Sequence, residues 1–139
     1  MSSTEIFTET EVTIENVNKI FKRAFFSTSL DSDGDLIVQS DGPRVIVKID
    51  SEKKHLCFMT LLRIKESAPE ITKLSLVNDL NNKTVLARFS VPRPHLIAAD
   101  YTLPFEEGIP TFQIVSTLRL FSRVIVNTVH VCDEHDIVL

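Results

Sequence analysis

Three stretches of this chain place apolar residues every three or four positions, and between them the spacing shortens to two. The first long-period stretch runs through Ile14, Val17, Ile20, Phe21, Ala24 and Phe25, and the last through Phe112, Val115, Leu118, Phe121, Ile125 and Val129. Such spacing lines apolar side chains along one stripe of an α-helix. In between, Val45, Val47 and Ile49 alternate with Arg44, Lys48 and Asp50, the pattern of a half-buried strand. Helices separated by runs of strands point to an α+β fold, an antiparallel sheet with helices packed on it, and not to a parallel nucleotide-binding sheet.

Turn chemistry divides the pattern into elements. Thr13, or Thr10 equally well, serves as N-cap of the first helix, which is expected to stop near Phe26. Asp31-Ser32-Asp33-Gly34-Asp35 and Asp41-Gly42-Pro43 are turn sequences, and three short strands follow: Leu36–Val38, Arg44–Asp50 and His55–Leu62. Pro69 opens a second helix with Ile71, Leu74, Val77 and Leu80 expected inward, and Asn81-Asn82 are expected to end it. Strands Thr84–Val91 and His95–Leu103 follow, and Pro92-Arg93-Pro94 is assigned to their connection because proline cannot donate to a ladder. Pro110 opens the third helix. The expected order is α-β-β-β-α-β-β-α, with residues 1–12 as a flexible N-terminal arm and 13–139 as a single domain.

A chain of 139 residues buries roughly 70% of its unfolded surface, so its core needs no metal or disulfide. Two cysteines, Cys57 and Cys132, fit a reducing cytoplasm better than a secreted disulfide framework. A net charge of −4 weighs against an electrostatic nucleic-acid partner. No run of about 18 apolar residues predicts a membrane span, and the acidic start, MSSTEIFTETE, lacks the features of a signal peptide.

Motifs that carry chemistry are scarce. Counted from Asp31, a calcium loop requires glycine at position six and a carboxylate at twelve, but Leu36 and Gly42 stand there. His130, Cys132 and His135 form no paired zinc motif. Neither GxSxG nor a glycine-rich phosphate loop occurs. Glu106-Glu107 reads as favourable charge near a helix N-terminus. The basic trio Lys19, Lys22 and Arg23 reads as a solvated face, and Asn78, Asn81 and Asn82 as caps or ties to the neighbouring strand. No cofactor, metal or catalytic set is expected, and the chain reads as non-enzymatic.

The element order, the DSDGDL turn, LSLVNDLNNKTVLARF and DYTLPFEEGIPTFQIVSTLRLF together resemble the YbjN domain, a bacterial family associated with sensory transduction regulation. That family is similar in fold to the type III secretion chaperones. The resemblance covers roughly residues 13–132 and departs from the family at Pro92-Arg93-Pro94, where an acidic-glycine turn is the usual pattern. It implies a cytoplasmic, protein-binding regulator or adaptor acting as a homodimer with a further, unidentified protein partner. Alternatively it implies a chaperone holding an extended client segment; a small-ligand-binding domain is a further alternative. By analogy with the chaperones, Leu80, Val85, Ala87 and Phe89 are the expected partner or dimer contacts.

Overall fold

The structure, a computed structural model, describes residues 5–139. Its elements in chain order are β1 (Ile6–Phe7), a single 3-10 turn (Glu9–Glu11), α1 (Ile14–Arg23), β2 (Ser27–Leu30), β3 (Leu36–Gln39), β4 (Val45–Asp50) and β5 (His55–Arg63). They continue with α2 (Glu70–Lys83), β6 (Arg88–Arg93), β7 (Leu96–Pro104), β8 (Ile109–Pro110) and α3 (Thr111–Cys132). Six strands form one antiparallel sheet in the order β2-β3-β4-β5-β7-β6, while β1 and β8 pair separately. The fold is therefore α+β with the expected order of elements, to which β2 adds a strand in the main sheet and β1 and β8 add a separate two-stranded pair. Ser27-Thr28-Ser29-Leu30 carries no apolar alternation because it lies at the edge of the sheet with little to bury.

The core lies between the sheet and the three helices. Leu36, Val38, Val45, Val47, Leu56, Phe58, Ile97, Ala99 and Leu103 are buried along the helix-facing side. Phe58, on the central strand β5, meets Phe21 of α1 at 6.5 Å and Phe121 of α3 at 6.2 Å between ring centroids. Each fully buried ring of this kind contributes about 1.5–3 kcal/mol. Helices on one side only leave the other side of the sheet uncovered, with Lys48, Leu61 and Arg63 in water.

Several elements depart from the sequence expectation. Thr13 caps α1 as expected, its Oγ1 accepting from the Asn16 N–H at 3.1 Å, but the helix ends at Arg23, earlier than Phe26. Phe25 then takes a left-handed conformation (φ 68°) and is 97% exposed instead of completing the apolar stripe. The closing bonds, Phe26 N–H to Phe21 O at 3.1 Å and Phe25 N–H to Lys22 O at 3.0 Å, form a Schellman cap. Phe26, packed edge-on against Phe21 at 5.4 Å, supplies its apolar clasp.

In α2 the inward residues are Lys73, Leu76 and Leu80, while Ile71 and Leu74 face outward. Leu76 and Leu80 are four apart and the deeper pair, so they set the rotation of the helix. The helix also continues through Asn81-Asn82 to Lys83. Thr84 closes it and β6 begins only at Arg88, because Thr84 donates its hydroxyl to Leu80 O (2.9 Å) and Ala87 O (3.2 Å) instead of entering the sheet. Pro92 lies within β6, not in the connection. The register slips between Ser90 and Arg93, so Val91 and Pro92 together stand opposite Ile97, and such an edge bulge tolerates a missing N–H.

In α3 the buried line is Ile114, Leu118, Phe121 and Ile125, and Phe112 is exposed. It is the one helix among the described residues long and apolar enough to cross a membrane. That buried line fills the core, however, and Arg119 and Arg123 interrupt its open side.

The flexible arm expected over residues 1–12 falls partly outside the described residues, at 1–4. From Glu5 onward the segment is tied down: β1 pairs with β8, Thr111 N–H donates to Glu5 O at 2.9 Å, and Phe7 and Val12 are buried. Gly108 permits this approach. Its φ is 108°, and a Cβ there would stand 2.8 Å from Phe7 O.

Candidate functional site

The polar residues singled out in the sequence are mostly consumed by local structure. Asp31 Oδ1 accepts the N–H groups of Asp33 and Asp35, each at 2.9 Å, and Gly34 (φ 83°) turns the chain from β2 into β3. The carboxylates of Asp31, Asp33 and Asp35 come within 4.8 Å of one another. Asp31 is occupied by that turn, and Asp35 is paired with Lys48 at 3.3 Å. Asp50 Oδ1 likewise accepts from Lys53 (3.0 Å) and Glu52 (3.1 Å), bonds that hold its carboxyl below the usual range. Both Asp133 oxygens bond the N–H groups of Ile137 and Val138, pinning the C-terminal segment to which Cys132 and His135 belong. Among the described residues, ligand-type side chains converge only at the Asp31–Asp35 turn.

Glu106 and Glu107 form no acid–base pair with a third group; the Glu107 N–H is bound by Glu9 Oε1 at 2.7 Å. A cleft of about 360 Å³ lies between the Ser40–Gly42 turn and α3, lined by Arg119, Ser122, Arg123 and Asn127. Arg119 is already engaged there, donating to Ala24 O at 3.1 Å and lying 5.0 Å above the Phe26 ring. Cys57 is half-buried, and burial pushes its thiol pKa up, the opposite of an activated nucleophile.

The expected contact residues separate into two groups. Leu80, Ala87 and Phe89 are buried, their side chains packed within the chain's own core. Val85 is fully exposed in the α2–β6 connection, whereas Ile71 (74% exposed) and Leu74 (49%) face outward near the start of α2, at the opposite end of the helix. Of the three asparagines, Asn81 bonds the neighbouring strand. Its Nδ2 donates to Phe89 O at 3.0 Å and its Oδ1 accepts the Phe89 N–H at 2.9 Å.

One residue escaped the sequence reading. Lys73 is only 5% exposed, and its Nζ donates to Glu66 O at 2.9 Å and Pro94 O at 2.7 Å. Lysine on a helix ordinarily marks the wet face, so nothing local signalled it.

This combination of a one-sided antiparallel sheet, a helix between β5 and β6 and a long closing helix has a counterpart among known proteins. A family profile described as "Putative bacterial sensory transduction regulator", YbjN, matches residues 13–134. The chain belongs to the YbjN family. A solved structure, described as "YbjN, a putative transcription regulator from E. coli", superposes with a TM-score of 0.72 at 12% identity, covering 91% of this chain and 96% of that one. At that identity the likeness concerns the fold. No curated protein matches the sequence closely.

Proposed function

We propose that this YbjN-family chain is a non-enzymatic cytoplasmic regulator that works by binding protein and does so as a homodimer. The observation that carries the reading is the pair of neighbouring exposed apolar side chains near the start of α2, Ile71 and Leu74, three residues apart on the helix. These side chains stand in water while Lys73 of the same helix is buried, so α2 spends apolar residues where its own core gains nothing from them. Neighbouring exposed apolar side chains, unlike single ones, are characteristic of contact surfaces. Asp31, Asp50, Asn81 and Asp133 serve turns and ties, and no acid–base or nucleophilic set is gathered among the described residues.

Light scattering on the full chain is expected to give the mass of a dimer. A photoreactive residue in place of Leu74 is expected to cross-link another polypeptide in cells, and Leu74→Glu to abolish capture by a probe placed at Ile71. A chain that stays monomeric, with no polypeptide captured from Leu74, overturns the reading.

A further inference from the structure

The two edges of the six-stranded sheet differ. On β6 the Phe89 backbone faces away from β7, and Asn81 occupies both of its groups. Arg88, the Pro92 bulge and Arg93 further obstruct pairing on that side, all recognised ways of closing a strand edge. β2 carries none of these, its four-residue length being its one protection. The Asp31 N–H bonds Asp35 O at 2.9 Å, and the ladder then alternates through Ser29–Ile37 and Ser27–Gln39. The N–H and C=O groups of Thr28 and Leu30 therefore point away from β3, with no hydrogen-bond partner among the described residues. The strand holds no charge and no proline, and Leu30 is 59% exposed.

We infer that β2 pairs with β2 of a second copy of this chain, joining two sheets into one across a two-fold axis at Ser29. The inference rests on the homodimer reading above and assigns its interface. The edge is self-complementary in this register. Thr28 of one copy lies opposite Leu30 of the other, so their outward groups exchange N–H···O bonds on both sides of the axis, and Ser29 faces Ser29 as a non-hydrogen-bonded pair. The same register carries the acidic Asp31–Asp35 turn of one copy towards the start of β2 in the other, near Lys22 at the end of α1. Asp33 of that turn has no ion-pair partner among the described residues, whereas Arg23 beside Lys22 is paired with Glu5 at 2.8 Å. Charge complementarity thus fits a second copy with no change in the strand. Phe25, exposed in a left-handed conformation just before β2, adds apolar surface beside the seam.

The test uses the full chain carrying Ser29→Cys. In a non-hydrogen-bonded antiparallel pair the Cα atoms lie about 4.5 Å apart, within disulfide reach. Mild oxidation is expected to convert most of the protein to a covalent dimer, while Ser51→Cys, in the β4–β5 turn, yields little. Thr28→Pro removes an N–H that β3 does not use and is expected to leave circular dichroism unchanged while weakening dimerisation at least tenfold by sedimentation. A dimer by light scattering in which Ser29→Cys does not cross-link and Thr28→Pro changes nothing overturns this interface and leaves the homodimer standing. A monomer overturns both.

Discussion

Asn81 holds Phe89 through both backbone groups of the strand residue, donating from Nδ2 at 3.0 Å and accepting on Oδ1 at 2.9 Å. A helix side chain thus does for β6 what a further strand would do. Asn81→Ala is expected to cost about 1–2 kcal/mol, the net worth of two such bonds. It would lower the urea midpoint with little change in slope. Asn81→Asp, which sets a carboxylate against the Phe89 carbonyl, is expected to cost more.

Lys73 joins the carbonyls of Glu66 and Pro94 across the buried side of α2. Lys73→Met keeps much of the aliphatic stem but leaves both acceptors without their donor. A loss of about 2–3 kcal/mol in chemical denaturation is expected, since hydrogen bonds to charged groups are the stronger kind.

The left-handed Phe25 stands where Schellman caps usually carry glycine. Phe25→Gly is expected to stabilise the chain by about 0.5–1 kcal/mol, the relief of backbone strain exceeding the entropy that glycine adds to the unfolded state. Phe26→Ala, one residue on, removes the buried clasp and is expected to cost about 3–5 kcal/mol. Thermal unfolding of the two variants should therefore shift in opposite directions.

Gly108→Ala places a methyl group 2.8 Å from Phe7 O at a backbone angle that alanine resists. A loss of about 2–3 kcal/mol is expected. Hydrogen exchange should show the Ile109 and Thr111 amides exposed well before the rest of the protein opens.

Burial raises the Cys57 pKa above its ordinary value of 9.0, so the folded state favours the neutral thiol. Its alkylation by iodoacetamide should be slow at neutral pH and inflect above the free-thiol range. The stability linked to this group is fully present below pH 9 and declines as pH rises through the raised value. Cys57→Ser should flatten that decline in denaturation measured on the alkaline side.

Most of the architecture was legible because period and turn residues act locally. The three helices, the turn at Asp31–Gly34 and the strands β3, β4, β5 and β7 follow from spacing and turn residues together. What escaped depends on partners distant in the chain. Lys73 is inward because Pro94, 21 residues on, offers a carbonyl, and Ile71 is outward because Leu76 and Leu80 claim the core. Pro92 enters a strand because that strand is an edge with a bulge. β2 is a strand because β3 supplies a ladder to four residues that bury little of themselves. For the candidate surface, the analogy that pointed to Leu80, Ala87 and Phe89 selected side chains the monomer itself covers, and Val85 alone stands free. Apolar character was readable from the sequence; the side each residue takes was not.

The tethers at Lys73 and Asn81 also bear on motion. Helix α2 is fastened near its start to the β5–α2 connection at Glu66 and to the β6–β7 turn at Pro94, and near its end to Phe89 of β6. It cannot tilt without dragging that corner of the molecule along. A load applied at Ile71 or Leu74 would be felt at Pro94 and Phe89 as the displacement of one stiff lever, so that the helix and the rim of the sheet would move as a unit.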